Sequence, residues 1–317
     1  MHGCRGQAAA RRGLLFLKGL LMTTYCGYIA IVGRPNVGKS TLLNQILKQK
    51  LSITSRKAQT TRHSILGIDT RDDTQFVYVD TPGIHQGSQK AMNRMMNKTA
   101  MQVLKDVDCV VFVLEGTRFL PDDEMVLGLI QKASVPCVLV LNKIDKIDDK
   151  ETLLPFIQMM SEKHKFDAII PISARTGLQV DALQNVVKAF LPEGPHLFDS
   201  EQFTDRPIRF LCAELVREKI FRLCGEELPY STSVEIESYE DEGDLIRIHA
   251  LVWVEKETHK RMIIGDKGLK MKDIATQARL DMERLLGKKV FLHAYCKVKA
   301  GWGNDERILK QFGYDND

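Results

Sequence analysis

Five apolar residues, Tyr28–Val32, run directly into Gly33-Arg-Pro-Asn-Val-Gly38-Lys39-Ser40. Two glycines with four residues between them, followed at once by a lysine and a hydroxyl, fit the pattern G-x-x-x-x-G-K-[ST], which requires a strand before it and a helix after it. The glycines let backbone amides turn toward a phosphate, and the following helix adds its positive amino-terminal end. Lys39 can then reach the outer phosphates, and Ser40 is placed to ligate magnesium. The Lys39–Gln49 stretch supplies the helix.

The same alternation continues. Strands are expected at Phe76–Asp80, Cys109–Leu114, Val138–Leu141 and Ile169–Ile172, with an edge strand near Ser64–Asp69. Helices are expected at Ala91–Lys105, Asp122–Lys132, Glu151–His164 and Val180–Phe190. Short β-branched runs alternating with longer amphipathic stretches are βαβ units around a buried, mostly parallel sheet. The pattern stops at Leu191-Pro-Glu-Gly-Pro-His196, and the polar stretch to Asp205-Arg-Pro207 reads as a linker, because X-Pro steps and glycine favour extended or turn backbone. Beyond it the order is α-β-β-α-α-β: Phe210–Cys224, Ser233–Glu240, Leu245–Glu255, Thr258–Ile264, Gly268–Leu286 and Val290–Val298. Ile274, Ala278, Met282 and Leu285 fall on one helical stripe, expected as core.

The chain of 317 residues is about twice the ~150-residue domain prior, so two domains are expected. The expected division is an extension at 1–21, a first domain at 22–192, a linker at 193–207, a second domain at 208–311 and a tail at 312–317. With 44% hydrophobic and 27% charged residues, disordered and collagen-like classes are excluded. The seven cysteines contain no C-x-x-C pair, which argues against a disulfide framework or zinc knuckle. Arg11-Arg12 and the apolar run to Met22 look like a targeting segment, yet Lys18 interrupts the run and it is too short to span a bilayer. A signal peptide would put a nucleotide enzyme outside the cell, and a mitochondrial presequence would explain the absence of acids but requires a eukaryotic source; the third reading is an upstream extension with little structural role. The last, with translation beginning at Met22, is the expectation.

Three further motifs follow in order at carboxyl ends of expected strands. Asp80-Thr-Pro-Gly83 offers a carboxylate for magnesium and a glycine amide for the γ-phosphate. Asn142-Lys143-Ile-Asp145 offers an amide and a carboxylate, the latter able to accept from the N1 and 2-amino donors of guanine. Ser173-Ala174 is placed for backbone amides to meet the base carbonyl.

These motifs resemble a translation-factor-class GTPase domain over residues 25–192, an α/β P-loop fold. The resemblance implies that GTP or GDP is held by Gly33, Asn36, Val37, Gly38, Lys39, Ser40, Thr41, Asp80, Gly83, Asn142, Lys143, Asp145, Ser173 and Ala174. It places the first switch at Gln59-Thr60-Thr61-Arg62, with Thr61 the choice for contacting magnesium beside Ser40 and Asp80, and Thr60 the other candidate. Ras-like domains carry a glutamine after the glycine of Asp80–Gly83, where this chain has Ile84 and His85. GTPases substituted in this way often use a phosphate-loop asparagine to help hold potassium, and Asn36 sits there. The expected catalytic set is Lys39, Asn36, Thr61 and Gly83.

In the second domain, Ile264-Gly265-Asp266-Lys267-Gly268 joins two helices. Such a turn lets a nucleic-acid backbone approach closely and resembles the G-x-x-G turn of an α+β, type II-like KH domain. Lys260, Arg261, Lys267, Lys270 and Lys272 flank it, and residues 256–299 hold twelve basic against five acidic residues. Lysines would bind phosphates, while Ile263, Ile264 and Ile274 would line a groove for bases or be plain core.

The order of domains, together with GRPNVGKST, QTTRH, DTPG, NKID, RMIIGDKGLK and the closing GWGNDERILKQFGY, resembles the Era family of bacterial ribosome-assembly GTPases from Met22 onward. The resemblance implies binding of the 3′ end of 16S rRNA, a role in 30S subunit assembly, a cytoplasmic location and peripheral membrane association. A monomer is the default. Two other classes compete: a constitutive RNA-binding protein with structural nucleotide, and a membrane-anchored signalling GTPase using Arg11–Leu21 as an interfacial helix. A tRNA-modification GTPase is disfavoured, since those typically end in a reactive cysteine.

Overall fold

The structure, a computed structural model, describes residues 23–54, 61, 64–83, 98, 100–225, 228–302, 305 and 307. The expected extension at 1–21, Gln59, Thr60, Arg62, Ile84, His85 and the tail at 312–317 lie outside the described residues. Of the helix expected at Ala91–Lys105, residues 100–103 are helical.

The first domain alternates β1 (Tyr25–Val32), α1 (Lys39–Leu47), β2 (Ile65–Arg71), β3 (Thr74–Asp80), β4 (Cys109–Glu115), α2 (Pro121–Ala133), β5 (Cys137–Asn142), α3 (Leu153–Lys163), β6 (Ala168–Pro171) and α4 (Val180–Lys188). Its sheet order is β2-β3-β1-β4-β5-β6. Only the β2–β3 pairing is antiparallel in this sheet; the others described are parallel. Both faces are buried, and alternate residues divide between them. Ile29, Ile31, Val111, Val113, Val138 and Val140 pack on one face, whereas Ala30, Val32, Phe112, Leu114, Leu139 and Leu141 pack on the other. An unbroken apolar run therefore becomes a strand with helices on both sides. β1 begins at Tyr25, ahead of the expected Tyr28, because Tyr25, Cys26 and Gly27 pair with Thr74, Gln75 and Phe76 of β3.

The stretch expected as a linker is fastened along this sheet. Cys26 N–H donates to Pro192 O (3.1 Å), Gly194 N–H to Thr24 O (2.9 Å), and Ile68 N–H to Phe203 O (2.9 Å). Buried Gln75 acts as a surrogate peptide group: its Oε1 accepts from Leu197 N–H (2.8 Å) and Phe198 N–H (3.0 Å), while its Nε2 donates to Phe198 O (2.8 Å).

The second domain comprises α5 (Ile208–Leu223), β7 (Thr232–Asp241), β8 (Leu245–Val254), α6 (Glu257–Ile264), α7 (Leu269–Leu286) and β9 (Lys289–Val298). β7 pairs antiparallel with β8, and β8 parallel with β9. The expected stripe is core, with Ile274, Ala278 and Met282 fully buried and Leu285 packed against the cluster. Ile263 and Ile274 are also 0% exposed within it, so the groove-lining alternative for these two gives way to the core one.

Candidate functional site

β1, β3, β4, β5 and β6 bring their carboxyl ends together on one side of the sheet, where ligands of such folds bind. A cleft of about 600 Å³ opens there. The expected residues Asn36, Gly38, Lys39, Ser40, Thr41, Thr61, Gly83, Asn142, Lys143, Asp145 and Ala174 all line it. Gly33, Val37, Asp80 and Ser173 stand behind the lining, all four buried.

The phosphate end is built around Gly38, the residue before α1. Its φ of 107° lies in the region that favours glycine, and a Cβ there would sit 2.3 Å from Asn142 Nδ2. Lys39 is 6% exposed, and its Nζ donates to Gly33 O (3.0 Å) and Arg34 O (3.1 Å), so the ammonium is held across the loop. Burial lowers its pKa to about 8, with Asp80 opposing the shift.

Asp80 closes β3 and is wholly buried. Its Oδ2 accepts from Ser40 Oγ (3.0 Å), Ser52 Oγ (2.9 Å) and Thr61 Oγ1 (3.3 Å), and the Ser40 and Thr61 hydroxyls lie 2.9 Å apart. Burial pushes the carboxyl pKa up, with Lys39 as the opposing charge. Its Oδ1 is buried with no partner among the described residues. An orphaned carboxylate oxygen beside two hydroxyls is an all-oxygen donor set, which suits magnesium.

The base end departs from expectation in detail. Asn142 turns its carboxamide to the protein: Nδ2 donates to Val37 O (2.8 Å), while Oδ1 accepts from Lys143 N–H (2.7 Å) and Ala174 N–H (2.9 Å). The Ser173 amide donates to Leu178 O (3.1 Å). The two amides expected at the base carbonyl are therefore engaged, and of the two residues Ala174 lines the cleft. Asp145 lines the cleft with its side chain mostly covered, the carboxylate oriented by Ser173 Oγ (2.7 Å), and that bond, helped by Arg175 at 2.9 Å, draws its pKa down. Lys143 Nζ donates to Asn36 O (2.7 Å) and pairs with Glu115 (2.8 Å), tying the phosphate loop to β4. Asn36 is exposed with left-handed backbone, φ 66°.

Sequence reasoning missed Ser52, Ile53 and Thr54, which follow α1 with no motif of their own. Ser52 bonds Asp80, and the other two line the cleft.

In the second domain, α6 and α7 meet at Gly265–Gly268. Gly265 has φ 72°, and a Cβ would lie 2.6 Å from Lys270 Cβ. Arg261, Asp266, Lys267, Lys270 and Lys272 are exposed around the turn; Lys260 and Ile264 are half-buried, with Gly268 completing it at φ 79°. Met262 and Leu269, 56% and 64% exposed, flank it and were not anticipated. Apolar side chains beside a basic turn give bases a surface to rest on.

The fold and the cleft define a P-loop GTPase domain joined to a KH domain. Residues 28–143 match the family described as 50S ribosome-binding GTPase, and residues 227–303 match the KH domain family. GTPase Era of Pseudomonas fluorescens (strain Pf0-1) is 55% identical over 291 residues, covering 92% of this chain and 97% of its own length. GTPase Era of Actinobacillus pleuropneumoniae serotype 5b (strain L20) is 54% identical, with coverage of 92% and 96%. An Aquifex aeolicus Era variant bound to GDP and AlF4− superposes with a TM-score of 0.88 at 38% identity, over 92% of this chain and all of that one. An Era structure in complex with MgGDPNP and nucleotides 1506–1542 of 16S ribosomal RNA gives the same score, identity and coverage. The chain belongs to the Era family and is a GTPase.

Proposed function

We propose that this chain is a GTP-controlled RNA-binding switch of 30S subunit assembly, taking GTP and magnesium in the cleft and the 3′ end of 16S rRNA on the KH face. The observation that carries the reading is the similarity, over 92% of the chain, to an Era structure that holds MgGDPNP and 16S rRNA nucleotides at once. Bound magnesium would neutralise charge on the β- and γ-phosphates. Ser40 Oγ and Thr61 Oγ1 are the hydroxyls to hold it, and Asp80 would act through water, using its partnerless Oδ1. Lys39 places its ammonium where the outer phosphates arrive, and Gly83 offers its amide to the γ-phosphate. Asp145 selects guanine. In this reading Gly33, Val37, Gly38 and Thr41 shape the loop that wraps the phosphates.

Asn36 would help hold potassium near the transferring phosphoryl group, supplying charge that an arginine finger gives elsewhere. On the KH face, Arg261, Lys267, Lys270 and Lys272 take phosphates, Gly265 and Gly268 admit the RNA backbone, and Met262, Ile264 and Leu269 meet the bases. A cytoplasmic location, peripheral membrane contact and a monomeric state rest on the family resemblance and on defaults. Among the described residues no helix is long and apolar enough to cross a membrane.

The test is GTP turnover in potassium against sodium buffer, with and without a 3′-terminal 16S fragment. Acceleration by both supports the reading. Turnover indifferent to RNA, with RNA affinity the same in GTP, GDP and no nucleotide, would leave a constitutive RNA-binding protein.

A further inference from the structure

Two helices start at the two sites and converge elsewhere. α1 starts at the phosphate loop and ends at Leu47, just before Lys50. α7 starts at the G-x-x-G turn and carries Asp281 about 18 Å along its axis, at 1.5 Å rise per residue. Lys50 Nζ lies 2.5 Å from Asp281 Oδ2 and 2.5 Å from Glu218 Oε2 of α5. The Glu218 side chain is 1% exposed, and its Oε1 accepts from both the N–H and Oγ1 of Thr54 at 3.4 Å. Arg222 pairs with Glu218 (2.8 Å) and donates to Thr54 Oγ1 (3.0 Å). Lys219 reaches Asp281 and, at 3.4 Å, Glu218, while Arg284 pairs with Asp281 at 2.7 Å.

The sequence just after Thr61 is held from the same side. Arg206, at the entry to α5, donates to Ser64 O, and Leu66 N–H donates to Asp205 Oδ1 (3.4 Å). Groups at and before α5 thus grip the chain on both sides of Thr61, the residue beside Ser40 and Asp80.

Buried charges are tolerable only while partnered, so a cluster like this has a made state and a broken state rather than a continuum. Burial opposes the charge on Asp281, yet hydrogen bonds from Lys219 and Lys50 keep its pKa below the usual carboxylate value. A shift of Thr54 on nucleotide exchange would take two hydrogen bonds from Glu218 Oε1 and one acceptor from Arg222, and Lys50, bonded to both Glu218 and Asp281, would pass that change to α7 and so to the RNA turn.

We propose that Lys50, Glu218 and Asp281 are the coupling element between the nucleotide cleft and the RNA face, with Glu218 a positioning residue for the Thr54 wall of the cleft. The proposal rests on the nucleotide-controlled reading above and names the contact that transmits it. By linkage, the ratio of RNA affinities in two nucleotide states equals the ratio of nucleotide affinities with and without RNA.

The experiment measures the Kd of a fluorescent 3′-terminal 16S fragment for the full chain with magnesium and either GDPNP or GDP. Wild type is compared with Asp281→Asn, Glu218→Gln, Lys50→Gln, the conservative Asp281→Glu, and Glu242→Gln as a control, since Glu242 forms an exposed ion pair with Arg247 at 2.7 Å. Wild type and the control should show a ratio of at least about fivefold, the lower end of ordinary allosteric coupling. Asp281→Asn, Glu218→Gln and Lys50→Gln should each bring the ratio within twofold of one, and Asp281→Glu should retain it. Lys50 is partly exposed at the junction, so Lys50→Gln carries the test where a carboxylate variant fails to fold. A wild-type ratio above fivefold that survives in the neutral variants overturns this proposal alone. A wild-type ratio of one removes the nucleotide-controlled reading, and this proposal with it.

Discussion

Asn142 Nδ2 donates to Val37 O at 2.8 Å, so the loop expected to read the base and the loop that wraps the phosphates are one hydrogen-bonded unit. The same side chain accepts from the Lys143 and Ala174 amides. Asn142→Ala would leave one buried carbonyl and two amides short of a partner, at about 1–3 kcal/mol each. Affinity for GDP should fall by about two orders of magnitude or more in a calorimetric titration, and the unliganded protein should melt earlier. GDP binding at wild-type strength would show that the three loops hold together without this brace.

Asp145 lines the cleft, and Ser173 Oγ at 2.7 Å fixes the orientation of its carboxylate. Two hydrogen bonds from guanine to a carboxylate, each worth about 1.5–3 kcal/mol when charge-assisted, put the cost of Asp145→Asn at about 10²–10⁴ in GDP affinity. Xanthosine diphosphate, whose 2-oxo group can accept from the new amide, should lose far less. Competition against a fluorescent nucleotide gives both numbers.

The buried Lys39 ammonium has its pKa lowered to about 8, chiefly by burial. Below that pH it is charged in both free and liganded protein, so GDP affinity should be flat. Above it the empty site loses the proton, the incoming phosphates restore it, and affinity should fall by up to about tenfold per pH unit, with proton uptake on binding. For folding the sign follows from the lowered value: charged Lys39 penalises the empty native state below about pH 8. The penalty fades as pH rises from there toward the unfolded-state value. Calorimetry in buffers of different ionisation enthalpy detects the uptake.

Gly265 has φ 72°, and a Cβ would fall 2.6 Å from Lys270 Cβ, so Gly265→Ala must move the turn and the start of α7. A residue forced into such backbone costs about 1–3 kcal/mol. RNA affinity should drop at least about tenfold by fluorescence anisotropy, and unchanged affinity would show that RNA does not approach this turn.

Much of the architecture was legible because its causes are local. Val110–Leu114 is apolar at every position, and a strand buried on both faces needs that. The phosphate loop, Asp80–Gly83 and Asn142–Asp145 were legible as short strings at strand ends. What stayed hidden depends on chain segments far apart. Nothing near Gln75 announces that its carboxamide holds Leu197 and Phe198. Nor does anything in Ser52 announce Asp80. α5 shows the limit best: Glu214, Arg217, Glu218 and Lys219 would fit a solvated face, yet all four are buried. Glu218 and Lys219 meet Lys50 and Asp281 where the GTPase domain packs against the KH helices. Ile263 and Ile274 were ambiguous for the reverse reason, since an apolar residue near a binding turn suits a groove or a core, and only packing decides.

The central claim is that GTP chemistry in the cleft and RNA on the KH face are linked within one chain. The most direct measurement is the single-turnover rate of GTP hydrolysis in potassium buffer, with and without a saturating 3′-terminal 16S fragment, for wild type and Gly265→Ala. The account predicts that RNA accelerates the wild-type reaction and that Gly265→Ala needs at least about tenfold more fragment to reach the same acceleration. A wild-type rate indifferent to saturating RNA would contradict it.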